Sequence, residues 1–350
     1  NGSNNISKEI CGIDPQLERI CINFANSPEA HFTSFFESSK EIITICERRP
    51  DFLDFLKQNG FFESFALFVC RNLVDYIETP NPLFQHNILR LLLEFSFLPD
   101  VCLLLKDVLR LFQRTIFSAN IEIQRLTLEC LDNFINESEE VCFLVNYMGF
   151  PTNFYSIIIA SKPENRDIVT LASNIFVSLL SNCTSYTPIE SRLILSVAFE
   201  LMKYDGFVDC VCQILSYFAK IKEEPNACII NNSVKLLDFL QNARNSPKLN
   251  YLMQFFTLRC YNHDETVSFL SNGLFERLKT TFIVDEKNDL NPNENQMQWC
   301  GKLISVVIST VPESIELFLQ LDLFRIYSFL LSEGNDLLKS SAMMVISQLV

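Results

Sequence analysis

The sequence predicts an all-α protein whose helices stack into an α-solenoid of about seven to eight repeats. Three observations predict it. Turn-makers are scarce, with 13 Pro and 8 Gly in 350 residues, whereas a many-stranded β architecture needs a turn roughly every ten residues. Apolar residues recur at helical spacing in long stretches. A short segment with a fixed internal pattern returns along the chain. Hydrophobic residues make up 48% and aromatic residues 12%, including 32 Phe, enough for a large core. One compact core rarely grows past about 250–300 residues, so this length implies two domains or an elongated stack, and the repeats favour the stack.

The first residues, 1–49, read as an N-terminal cap or an incomplete repeat, with Asp14-Pro15 opening one helix and Ser27-Pro28 the next. The repeat array then runs over 50–350. Its ruler is five segments: PDFLDFLKQNGFF from Pro50, PDVCLLLKDVLRLF from Pro99, EEVCFLVNYMGFP from Glu139, HDETVSFLSNGLF from His263 and PESIELFLQLDLF from Pro312. Ten residues after each start comes a turn position, held by Gly60, Leu109, Gly149, Gly273 and Asp322. The spacings are 49, 40, 124 and 49, and 124 divides into three steps, which places two fainter units near Thr184 and Glu224. Within a unit the order is a short helix, a turn, a medium helix and a long third helix. A lone helix pair cannot cover its apolar face; stacked units bury each other's.

The third helix is clearest over Asp167–Ser181, where Ile168, Leu171, Ala172, Ile175, Phe176, Leu179 and Leu180 form one wide apolar stripe. Ile123, Leu126, Cys130, Leu131 and Phe134 repeat the stripe in an earlier unit, and Cys300, Leu303, Ile304, Val307 and Ile308 in a later one. Helix starts agree in phase. Thr187 with Glu190 and Thr310 with Glu313 have capping-box spacing, Asn136 with Glu139 and Asn262 with Glu265 are Asn-led variants, and Pro188 suits the first helical position. The polar stretch Glu286–Gln296 reads as a long loop before the last helix of its unit.

A period of about 40–47 residues with two or three helices per unit belongs to the HEAT and armadillo class. In its period and its Gly-bearing turn the chain resembles the armadillo superfamily over roughly residues 50–350. That resemblance implies a right-handed superhelix whose third helices line a concave groove that holds a protein or an extended peptide. The nuclear-import adaptors of the superfamily carry a ladder of Trp and Asn four residues apart on successive third helices. The equivalent places here hold Glu129 with Asn133, Phe176 with Leu180, and Trp299 with Leu303, so that ladder is not present.

Charge and chemistry narrow the function. There are 28 basic and 42 acidic residues, a net charge of −14, and no basic run, which argues against a nucleic-acid or anionic-membrane surface and leaves a basic partner open. The acid excess also serves simply to keep a Phe-rich chain soluble. Thirteen cysteines, an odd number without scaffold spacing, read as small core residues in a reducing, cytoplasmic setting, with Cys130, Cys142 and Cys300 at apolar helix positions. The start, Asn1-Gly2-Ser3, has no basic segment followed by an apolar one, so no signal peptide is expected, and no apolar run reaches the roughly 18 residues that span a bilayer. Asn-X-Ser/Thr triplets at Asn1, Asn5, Asn136, Asn182 and Asn231 are chance in an Asn-rich cytosolic chain. The lack of an initiator Met, and an end inside the apolar pattern Ala342–Val350, fit a piece of a longer protein.

No catalytic constellation is legible. His31, His86 and His263 are far apart, His263-Asp264-Glu265 suits a helix start, and Cys210-x-Cys212 diverges on a helix with no second pair to complete a zinc site. No phosphate-cradling Gly loop, nucleophile elbow or HExxH occurs. The expectation is no enzyme, no cofactor and no metal. The candidate protein-binding residues lie on third helices: Glu122, Arg125, Glu129 and Asn133 on one, and Gln296, Trp299 and Lys302 on another. Trp299 stands one residue before the core phase of Cys300 and Leu303, a place for a groove-facing anchor. The function expected is a non-catalytic scaffold or adaptor. A transport receptor for basic cargo and a structural, cytoskeletal subunit are the alternatives.

Overall fold

The computed structural model describes residues 13–75, 82–161, 165–182, 189–204, 206–221, 226–283 and 294–349. Every regular element among them is helical, and no strand occurs. The chain divides into two compact units, Asn1–Ile189 and Glu190–Val350.

The first unit holds α1 (Pro15–Asn26), α2 (Pro28–Arg48), α3 (Pro50–Gln58), α4 (Phe61–Asp75), α5 (Pro82–Ser96), α6 (Val101–Leu104), α7 (Leu109–Thr115), α8 (Ile121–Glu137), α9 (Glu139–Tyr147), α10 (Phe150–Ala160) and α11 (Arg166–Asn182). Its long helices lie side by side, α5 against α8 and α8 against α11. They run parallel, because a constant offset links them: His86 faces Glu122 and Ser96 faces Asn133, 36 and 37 residues apart. The expected stripes explain this packing, since Ile123, Leu126, Cys130, Leu131 and Phe134 on α8 and Ile168, Ala172, Ile175, Phe176, Leu179 and Leu180 on α11 are all buried. Phenylalanines fill the start of this unit. Phe24 stacks on Phe35 at 4.4 Å, and Phe95 meets Phe61, Phe62 and Phe65 edge-on at 5.4–6.1 Å, the offset geometry that aromatic quadrupoles favour.

The second unit holds α12 (Ser191–Leu201), α13 (Val208–Ala219), α14 (Ala227–Asn231), α15 (Ser233–Asn242), α16 (Leu249–Arg259), α17 (His263–Ser271), α18 (Leu274–Leu278), α19 (Glu294–Thr310), α20 (Ser314–Gln320), α21 (Leu323–Glu333) and α22 (Asp336–Ile346). Here α13, α16, α19 and α22 pack in sequence, each against the next. Parallel register again shows in the cross-links: the Ser216 hydroxyl donates to Gln254 at 3.0 Å, and the Ser309 hydroxyl to Gln348 at 2.6 Å. α22 approaches α19 closely at Gly301, where a Cβ would meet the hydroxyl and the carbonyl oxygen of Ser341. A buried ion pair ties α16 to α17. Arg259 donates to both carboxylate oxygens of Glu265, which also accepts the Asn226 backbone N–H at 2.9 Å, and the guanidinium lies 5.3 Å over the Phe218 ring.

The short helices begin where the segments place them at Pro50, Glu139 and His263, and the turns at Gly60, Gly149, Gly273 and Asp322 are all left-handed, with φ of 68°, 83°, 87° and 59°. Glycine reaches that region without Cβ strain, which is why it holds three of the four. Leu109 breaks the rule. Its φ is −54°, and Lys106–Val108 forms a 3-10 turn that feeds straight into α7; the left-handed residue of that segment is Asp100, with φ 58°. A buried Leu suits a continuous helical path and not a reversal.

Other local expectations also change. Asn262 does cap α17, accepting the Glu265 N–H at 3.1 Å, but Asn136 lies inside α8, donating to Asp132, and the cap of α9 is the Ser138 hydroxyl. Thr310 ends α19 and makes no cap, because α20 begins at Ser314 behind Glu313. Glu294, Asn295 and Gln296, expected in a loop, form the first turn of α19. Thr187, Pro188, the starts near Thr184 and Glu224, and residues 286–293 of the expected loop lie outside the described residues. Cys130, Cys142 and Cys300 are buried, but Cys142 is disulfide-bonded while ten other described cysteines are free thiols, so not every cysteine is a simple reduced core residue.

Candidate protein-binding site

The seven candidate residues fall into two sets, one in each compact unit. In the first unit, Glu122, Arg125 and Glu129 follow one another at helical spacing of three and four on α8, so their side chains meet. Arg125 donates to Glu122 through Nε at 3.0 Å and Nη2 at 2.6 Å, and to Glu129 through Nη1 at 2.6 Å; His86 on α5 stands 3.8 Å from Glu122. The Arg125 guanidinium holds the Glu122 carboxyl below the usual range, and Glu122 in turn raises Arg125. These two acids are therefore already neutralised in part, and they do not form the open acidic strip that a basic peptide would need. Asn133 is a tie between helices, its amide donating to Ser96 at 2.8 Å. One turn on, Glu137 accepts the backbone N–H groups of Val101 and Cys102 at 3.1 and 3.0 Å, capping α6 from the end of α8. A carboxylate at a helix N-terminus satisfies donors that the helix itself cannot.

In the second unit, Trp299 on α19 is half-buried and faces a cleft against the start of α16. The cleft has a volume of about 440 Å³ and is lined by Ser246, Pro247, Leu249, Asn250, Asn295, Gln296 and Trp299. Pro247 and the 3-10 turn Ala243–Asn245 delay the start of α16 and so leave the first turns of α19 uncovered. Gln296 donates to the Arg244 carbonyl at 3.0 Å and pins one wall. Lys302, one turn along α19, places its ammonium 5.3 Å over the Trp299 ring, a cation–π contact that helps to hold the indole. The arrangement offers an aromatic anchor beside a fixed cation.

The sequence did not single out the neighbours that extend this site. Tyr217 on α13 and Tyr251 on α16 are half-buried, and each carries a lysine over its ring, Lys220 at 4.9 Å and Lys248 at 5.6 Å. The signal was present as Gln213, Tyr217 and Lys220 at i, i+4 and i+7, interrupting an otherwise apolar helix. Cys210 and Cys212 are both buried on α13, and His263 is exposed at the start of α17. Among the described residues no group of three or more His, Cys, Asp or Glu could hold a metal ion, and no helix is long and apolar enough to cross a membrane.

No protein-family profile matches the sequence, and no curated protein matches it either. Among solved structures, the chain is similar to an engineered protein determined as a Northeast Structural Genomics Consortium target, with a TM-score of 0.54 and 11% identity over 95% of this chain and 94% of that one. A second engineered target of the same consortium aligns over 82% of this chain and 95% of its own at 12% identity, with a TM-score of 0.33, below the range that indicates a shared fold. The first likeness concerns fold alone: an all-helical arrangement of this length has a solved counterpart.

Proposed function

We propose that the protein is a non-catalytic scaffold or adaptor of armadillo type, a right-handed α-solenoid that binds proteins or extended peptides along its third helices. One observation carries this reading. In each unit the long helices pack in series, each against the next, α5, α8 and α11 in the first and α13, α16, α19 and α22 in the second. Stacked repeats use the surface such a series forms for binding. Trp299 in its cleft supplies the kind of anchor on which interface energy concentrates.

The alternatives are a transport receptor for basic cargo and a structural subunit of a larger, cytoskeletal assembly. The pairing of Glu122 and Glu129 with Arg125 argues against basic cargo on that part of α8. Selection of a random peptide library on the full chain tests the reading. It predicts an enriched motif whose binding is weakened at least tenfold, about 1.4 kcal/mol, by Trp299→Ala. A library that yields no ligand contradicts it.

A further inference from the structure

We draw no further inference here: the strongest candidate, the apolar surface that Leu319 on α20, Phe324 on α21 and Met343 on α22 leave exposed, is unpartnered, and nothing in the structure shows what covers it.

Discussion

Glu265 is fully buried, and its carboxylate is shared between the Arg259 guanidinium and the Asn226 backbone N–H. Removing its charge strands a buried cation, which is far costlier than losing an exposed pair. Glu265→Gln should therefore destabilise the second unit by about 3–5 kcal/mol in urea unfolding, and replacing both partners with Met and Leu should recover most of that loss. An equal loss in the single and double variants would mean that packing, not charge, holds α16 to α17. Thiols give a second residue-scale test. Burial pushes the Cys260 and Cys300 thiols up to about 12, so at pH 8 almost no thiolate forms and iodoacetamide should leave both unmodified until denaturant is added. Peptide mass mapping reads this directly. The Glu122 carboxyl, lowered by Arg125, works in the opposite pH window: its pairing contributes above the ordinary Glu range and is lost as pH falls through its lowered value. An NMR titration midpoint at or above about 4.3 would contradict that pairing.

At the scale of elements, the left-handed turns explain both what the sequence made legible and what it hid. Three of them are glycines in the predicted places, and Asp322 adopts the same φ at a strain cost of about 1 kcal/mol. Asp322→Gly should accordingly stabilise the protein by about 0.5–1 kcal/mol, whereas Leu109→Gly, at a buried right-handed position, should cost about 2–5 kcal/mol through a cavity and a looser helix. Thermal unfolding of the two variants distinguishes a true turn from a look-alike in the alignment. The long helices were legible for the same reason that they pack: Ile168 to Leu180 and Cys300 to Ile308 bury one stripe against two neighbours. The caps were legible only where spacing coincided with geometry, as at Asn262. At the end of α8, two polar residues compete, and Ser138, not Asn136, is the one outside the helix. Half of the candidate site was out of reach for a different reason. Tyr251 sits on α16 and Lys248 just before it; the weak pattern of that helix gave no phase, and the lysine-over-ring contact depends on rotamers that spacing does not encode.

For the whole molecule, the proposal that the helices continue as one solenoid has a hydrodynamic consequence. A compact globule of 350 residues has a radius of gyration of about 20 Å. Small-angle scattering should give a clearly larger value and an elongated distance distribution, and a value near 20 Å would contradict the solenoid. The chemistry also differs between the units. On α8, Arg125 is paired with Glu122 and Glu129, while in the second unit Trp299 lines a cleft. The strongest contacts to a partner are therefore predicted in the second unit.

Hydroxyl-radical footprinting of the full chain with a library-selected peptide tests the role of the third helices most directly, because it reads aromatic side chains on every face at once. The account predicts protection of Trp299 and Tyr251, with Tyr147 on α9 and Tyr261 before α17, which are 75% and 65% exposed, reacting as they do without ligand. Protection of Tyr147 or Tyr261, with Trp299 unchanged, would contradict it.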